Sequence, residues 1–272
     1  MLLLRPMLKS LRKLLGGEPP LPPPEVPEGE RVYAIGDIHG RLDLFEELVA
    51  AIEEDDAASG AANTTVILLG DLVDRGPDSA GVIAAARAWQ SRRQVRIIGG
   101  NHEEMFLEAF AHKDVLRQFL RHGGRETLLS YPIDPADYAA AELDDLQAIM
   151  AAAVPQADRD YMAGFERGIS IGDYFFTHAG VEPGIPIDNQ SARTLRWIRE
   201  PFLSHKGYHG AIVVHGHSIG EEVEVRSNRI GIDTGGYVHG VLTALRLEGT
   251  SQRLLQACDA DGTISIARRM IA

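Results

Sequence analysis

The sequence predicts a mixed α/β domain, and three observations carry that prediction. Apolar strands alternate with amphipathic helices over 32–111, and short strands separated by Gly, Pro, Asp and Asn turns follow from 168 onward. The uneven spread of charge and proline sets the first 29 residues apart from the rest.

Residues 1–17 carry Arg5, Lys9, Arg12 and Lys13 and no acid, leaving 23 basic against 39 acidic residues, or −16, in the remainder. Leu4, Met7, Leu8, Leu11, Leu14 and Leu15 recur at helical spacing opposite these cations, the pattern of a basic amphipathic helix that docks on an anionic membrane face or in a partner groove. A loosely packed leader is the plainer reading of the same residues. Charges interrupt the apolar positions and no A-x-A-like site follows, so the segment does not read as a secretory signal. Residues 18–29, EPPLPPPEVPEG, hold six of the fourteen prolines and read as an extended linker of roughly 35 Å, at ~3.1 Å per residue. The folded domain is expected over 30–272.

Within it, VYAIGD (32–37) reads as a first strand, and RLDLFEELVAAIEE (41–54) as a helix with Leu42, Phe45, Leu48, Val49 and Ile52 on one face. TVILLGD (65–71) and SAGVIAAARAWQSR (79–92) repeat the pair. VRIIGGNH (95–102) is a third strand, leading into a helix at EEMFLEAFA. A β-α-β-α-β run predicts parallel strands side by side. Residues 113–168 are helical in character, an excursion beside or over the sheet whose purpose the pattern does not reveal. The strands ISIGDYFFTHAG, AIVVHGH, NRIGIDTGG, LTALRLEG and TISIARRM, with few helices between them, are expected to build a second, antiparallel or mixed sheet.

Composition narrows the function. A net charge of −12 opposes non-specific nucleic-acid binding, because phosphate backbones would be repelled by most of the surface. The one cysteine, Cys258, makes no intrachain disulfide and no thiolate metal site; a reducing, cytoplasmic setting suits it, and any metal must rest on nitrogen and oxygen. No apolar run reaches membrane-spanning length.

The three early strands end alike, in GDIHG (36–40), GDLVDRG (70–76) and GNHE (100–103). One Gly-Asp at a strand end is an ordinary turn or cap. Three in order, each at a strand-to-helix junction and spaced 34 and 30 positions apart at Asp37, Asp71 and Asn101, make a site. The carboxyl ends of adjacent parallel strands define one crevice, so Asp37, His39, Asp71 and Asn101 should converge there. His178 in THAG and His217 in HGHS also sit just past apolar strands. Two carboxylates, three imidazoles and an amide exceed one tetrahedral ion and suit two divalent metals sharing a carboxylate. Manganese, iron and zinc all fit such donors, with manganese the first choice for assay. His215, two residues before His217, is an equal candidate on alternation alone.

The triplet GD-x-HG, GD-x-VDRG, GNHE, with THAG and GH further on, resembles the signature of the calcineurin-like metallophosphoesterases, in particular the bacterial and phage lambda-type Ser/Thr phosphoprotein phosphatases. The resemblance covers 31 to about 248. It implies a four-layer sandwich, two mixed sheets face to face with helices outside, in a single domain. It implies that Asp37, His39 and Asp71 hold one metal, that Asp71, Asn101, His178 and His217 hold the other, and that a metal-bridging hydroxide attacks phosphorus directly. His102 would protonate the leaving alkoxide with Asp74 orienting it, a carboxylate fixing the imidazole tautomer. Arg75 and, in RWIRE, Arg199 would grip phosphate with planar forks. The implied substrate is phosphoserine or phosphothreonine in proteins.

The nearest alternative is a symmetrical diadenosine tetraphosphate hydrolase or another nucleotide phosphoesterase acting on a phosphorylated small molecule. Those hydrolases usually carry VARG and GNHD where this chain has Val73-Asp74-Arg75-Gly76 and GNHE, which ranks the protein phosphatase first. Gly99 stands where eukaryotic members have arginine, and their SAPNY segment is missing. His122 in RHGGRE reads as an exposed turn histidine, Asp233 in IDTGG as a structural strand end, and His112, His205, His209 and His239 as surface residues.

Overall fold

The computed structural model describes residues 23–272; the amphipathic segment 1–17 and the start of the proline-rich stretch lie outside them. The chain opens with β1 (Glu30–Ile35), α1 (Leu42–Ala58), β2 (Asn63–Leu68), α2 (Ser79–Gln90), β3 (Val95–Ile97) and α3 (Asn101–Ala109). β1, β2 and β3 pair in parallel, as the alternating pattern predicts. β3 is shorter than expected and α3 begins earlier, at Asn101. Gly100 caps the helix, and the Glu103 carboxylate accepts the Gly100 amide at 2.9 Å, closing the helix start. Asn101 and His102 therefore project from a helical first turn.

The excursion is α4 (Lys113–Phe119), α5 (Arg125–Ser130), α6 (Pro135–Ala140), α7 (Leu143–Ala153) and α8 (Gln156–Ala163). Leu116, Phe119, Leu128, Leu146, Met150 and Met162 join the buried cluster that α1, α2 and α3 form over the first sheet, with Phe106 stacked on Phe119. Next come β4 (Ile169–Ile171), β5 (Tyr174–Phe176), α9 (Ala192–Trp197), β6 (Ile212–His215), β7 (Glu224–Val225), β8 (Arg229–Gly231), α10 (Gly236–His239), β9 (Val241–Glu248), β10 (Ser251–Ala260) and β11 (Thr263–Met270).

Two mixed sheets result, ordered β11-β10-β9-β1-β2-β3 and β4-β5-β6-β8-β7. The later strands do not all build the second sheet: β9 pairs antiparallel with β1 and brings β10 and β11 into the first. Alternation specifies which face of a strand is apolar and is silent on which edge it joins. β10 is not among the strands expected from the sequence, although Asp261 and Gly262, both at positive φ, form the Asp-Gly turn that announces a hairpin.

Period-2 alternation with both faces buried explains the layering. In β1, Tyr33 and Ile35 face the helices, while Val32 and Ala34 face the second sheet; in β2, Val66 and Leu68 oppose Ile67, and Leu69 just past the strand, in the same way. The second face meets Ile169, Tyr174, Phe176, Ile212, Val214 and Ile230, so the sheets pack face to face. Fully burying each such aliphatic side chain contributes roughly 1.5–3 kcal/mol. Phe175, Val213, Leu195 and Phe202 cover the outer face of the second sheet.

The expectation of an unpacked spacer up to residue 29 fails at its end. Val26 is buried in the inter-sheet cluster and its amide donates to Gly249 O at 2.9 Å, while Asp173 N donates to Glu25 O at 3.0 Å. Proline excludes helix and central strand but does not prevent an extended segment from docking along a sandwich edge. Among the described residues no helix is long and apolar enough to cross a membrane.

Candidate metal centre

Parallel β1, β2 and β3 end at one edge of the sandwich, and parallel β5, β6 and β8 end there from the opposing sheet. Every predicted ligand lies just past one of these ends, and all are buried: Asp37, His39, Asp71, Asn101, His178 and His217. His39, Asp71, Asp74, Arg75 and His217 adopt positive φ between 47° and 74°. Left-handed backbone is disfavoured for residues with a Cβ, and its concentration here marks a site where the surrounding fold dictates side-chain direction.

Asp71 lies at the middle. Its Oδ2 is 3.4 Å from His178 Nε2, 3.6 Å from His39 Nε2 and 3.8 Å from His102 Nε2. Two groups of ligand atoms, each within 4.8 Å of one another, share it: His39, Asp71 and His102, and Asp71, His178 and His217. Asn101 Oδ1 adjoins His178 Nε2 at 2.9 Å. Asp37 is buried beside them with both carboxylate oxygens accepting the His217 amide, at 3.0 and 3.1 Å; the three-atom group around His39 contains His102 in its stead.

The imidazoles present lone pairs. His39 Nδ1 donates to Val73 O at 2.8 Å and His178 Nδ1 to Leu69 O at 2.9 Å, which leaves Nε2 of each directed at Asp71. His217 Nε2 is buried with no hydrogen-bond partner. A buried, unpartnered nitrogen beside a shared carboxylate is what a cation site requires, so the donor set fits two divalent ions. His215 is placed elsewhere. β6 ends at His215, Gly216 turns the chain, and the His215 ring packs on Phe202 at 5.0 Å. A Cβ on Gly216 would lie 2.0 Å from Asp37 Oδ1, so only glycine permits this turn.

Charge is arranged with equal economy. Burial alone would raise the Asp71 carboxyl, but His178, His102 and His39 together hold it well below the usual carboxylate range. Burial pulls the His178 imidazole down, and Asp71, Asp37 and Glu103 outweigh it and favour its charged form; a cation at Nε2 would take the place of that proton. Burial and the neighbouring His178 push His217 down to about 3. Burial, reinforced by Asp233, raises Asp37.

A dyad flanks the centre. His102 Nδ1 meets Asp74 Oδ2 at 2.6 Å, and Asp71 together with Asp74 raises the imidazole against its burial. Asp74 is in turn held by residues the sequence reading missed. Thr127 Oγ1 donates to Asp74 Oδ1 at 2.6 Å, while the Asp74 amide donates to Thr127 Oγ1 at 2.8 Å and to Ser79 Oγ at 3.0 Å. The helical excursion thus supplies an orienting hydroxyl, and Gly123 O accepts the Arg75 amide at 3.0 Å. Glu103 was the other omission: its buried carboxylate accepts the amides of Asp71, Leu72 and Gly100 at 2.7–2.9 Å, tying two motif loops together. The spacing Gly100-x-x-Glu103 carried that signal; nothing in the sequence pointed to Thr127.

Arg75 reaches inward, with Nη1 2.7 Å from His39 Nε2 and Nη2 3.0 Å from His102 Nε2. Arg199 is exposed at the opposite end, its Nη2 donating to His217 O at 3.2 Å. His122 is exposed, with Nδ1 bonded to Gln118 O. His112 and His239 lie at the surface as expected, whereas His205 and His209 are half-buried, their rings 5.0 Å apart. Asp233 is buried, bonds the Gly235 amide at 3.0 Å and faces Asp37, closer to the centre than a plain strand end.

The family model for calcineurin-like phosphoesterases matches residues 30–240. The asymmetrical bis(5'-nucleosyl)-tetraphosphatase PrpE of Oceanobacillus iheyensis is 26% identical over 236 residues, 79% of this chain and 88% of the relative. The symmetrical bis(5'-nucleosyl)-tetraphosphatase of Nitrosospira multiformis is 25% identical over 283 residues, 85% of this chain and 97% of its own length. Serine/threonine-protein phosphatase 1 of Salmonella typhimurium is 35% identical over 88 residues, covering 32% of this chain and 36% of the relative. Among solved structures, one described as a candidate diadenosine tetraphosphatase superposes with a TM-score of 0.58 at 20% identity, over 90% of this chain and 96% of the other, a likeness of fold.

Proposed function

The chain belongs to the calcineurin-like phosphoesterase family, and from that premise we propose that it hydrolyses the phosphate chain of a bis(5'-nucleosyl) tetraphosphate in a two-metal site. A metal-dependent phosphoesterase follows from the family and the shared His/Asp clusters. The observation that carries the substrate is likeness over whole length: two of the tetraphosphatase relatives align across 88% and 97% of themselves, the protein phosphatase across 36%. That outweighs the two tetrapeptide differences at Asp74 and Glu103 and reverses the ranking reached from them.

In this reading Asp37, His39 and Asp71 hold one cation, Asp71, Asn101, His178 and His217 the second, with Asp71 common to both. Divalent ions there supply charge neutralisation and a water of lowered pKa. The chain's own groups do the rest. Arg75 at the His39/His102 end and Arg199 at the His217 end hold successive phosphates of an extended polyanion. His102, fixed by Asp74, presents a proton at Nε2 to the leaving oxygen.

One observation favours a second reading, a serine/threonine phosphatase. The 2.6 Å Asp74–His102 pair suits protonation of a poor alkoxide leaving group, which depends on a general acid more than a phosphoanhydride does. Parallel measurement of kcat/KM on diadenosine tetraphosphate, a phosphothreonine peptide and p-nitrophenyl phosphate with manganese separates them. Fastest turnover of the dinucleotide is expected; preference for the peptide would replace the first reading with the second.

A further inference from the structure

We infer that Tyr237, in the Gly-Gly-Tyr-Val-His-Gly stretch that forms α10, is a positioning residue that holds the Arg75 guanidinium ready for phosphate. The inference rests on the assignment of Arg75 to the phosphate in the proposed function. The Arg75 guanidinium carbon lies 4.6 Å from the centroid of the Tyr237 ring, and the same ring meets His39 edge-to-face at 5.1 Å.

Among the described residues Arg75 has no carboxylate partner; its side chain is steered by the Tyr237 ring and by the two imidazole nitrogens of His39 and His102. Its backbone is already set, at φ 71° with its amide on Gly123 O. An arginine free to rotate loses rotamer entropy when an anion fixes it. A ring against its face removes part of that loss beforehand and keeps the plane of the fork directed at the centre. Tyr237 is half-buried, and among the described residues its hydroxyl forms no hydrogen bond, so the ring face is the working part. The side chain sits on α10, in the connection from β8 of the second sheet to β9 of the first.

The test compares wild type, Tyr237→Phe, Tyr237→Leu, Arg75→Lys and the Tyr237→Leu/Arg75→Lys double variant, all manganese-loaded. Calorimetry gives the Kd for inorganic phosphate, and steady-state kinetics give kcat, KM and the manganese concentration for half-maximal rate. Tyr237→Leu should weaken phosphate about three- to tenfold, the range of a partly desolvated cation–π contact, and raise KM in parallel with kcat nearly unchanged. Tyr237→Phe should retain wild-type values, and in the Arg75→Lys background the leucine should add less than about twofold, as non-additivity within one contact requires. Unchanged phosphate affinity in Tyr237→Leu, or an equal loss without Arg75, overturns the inference. So does a shift in manganese dependence alone, which would mean that Tyr237 acts through His39. Failure of the wild-type protein to bind phosphate would instead remove the phosphate-site assignment and the inference together.

Discussion

Asp74 Oδ2 and His102 Nδ1 stand 2.6 Å apart, both buried, with the second Asp74 oxygen anchored by Thr127 at 2.6 Å. The carboxylate selects the imidazole tautomer and, with Asp71, favours its charged form over burial. Asp74→Asn should lower kcat by about a hundredfold or more, the usual worth of general acid catalysis. A raised imidazole stays protonated to higher pH, and activity that needs its proton is lost as pH climbs through that value. Removing Asp74 should therefore move the alkaline limb of the kcat/KM profile to lower pH; an unmoved limb would exclude His102 as the acid.

Thr127→Val keeps the volume and deletes the hydroxyl that bonds Asp74 from two directions. An unsatisfied buried acceptor costs about 1–3 kcal/mol, to be read in the denaturant midpoint. Activity should fall with it through misorientation of the dyad, while metal content remains at the wild-type level.

Asp71 belongs to both ligand groups. Asp71→Asn should reduce bound manganese from two per chain to one or fewer by elemental analysis and cut the rate by about a hundredfold or more, a loss of several kcal/mol of charge stabilisation. Chelation of the wild-type protein should abolish activity reversibly. Full metal content in the variant would refute the shared-carboxylate assignment.

Burial, with help from His205 and Arg229, pushes His209 down to about 4. In the unfolded chain an imidazole titrates near ~6.5, so between these values the unfolded state binds more protons and stability falls as pH falls. The melting temperature should decline from about pH 6.5 toward pH 4, and less steeply in His209→Gln. Equal slopes would show that the imidazole is solvated enough to escape its burial.

Much of the chemistry was legible beforehand because it is local. GDIHG, GDLVDRG and GNHE each join a strand end to a turn, and the rule that parallel strand ends share a crevice brings Asp37, His39, Asp71 and Asn101 together without coordinates. The tautomer-fixing carbonyls of Val73 and Leu69, and the hydroxyls of Thr127 and Ser79, carry no such spacing signal. Thr127 lies 53 positions from the carboxylate it orients, and only packing of the helical excursion beside the sheet brings the two together.

The sequence by itself determined the candidate ligands at the strand ends, the parallel half of the first sheet and a donor set suited to two metals. The tertiary structure decided that His217 and not His215 joins Asp71 and His178, that β9–β11 complete the first sheet, that residues 24–29 dock on the domain, and that Tyr237 lies against Arg75. The reason is physical. Residue type and period encode what a side chain is and which face of its own element it occupies. Which other element it meets depends on how two apolar faces close on each other, and alternation is the same for every edge to which a strand could add.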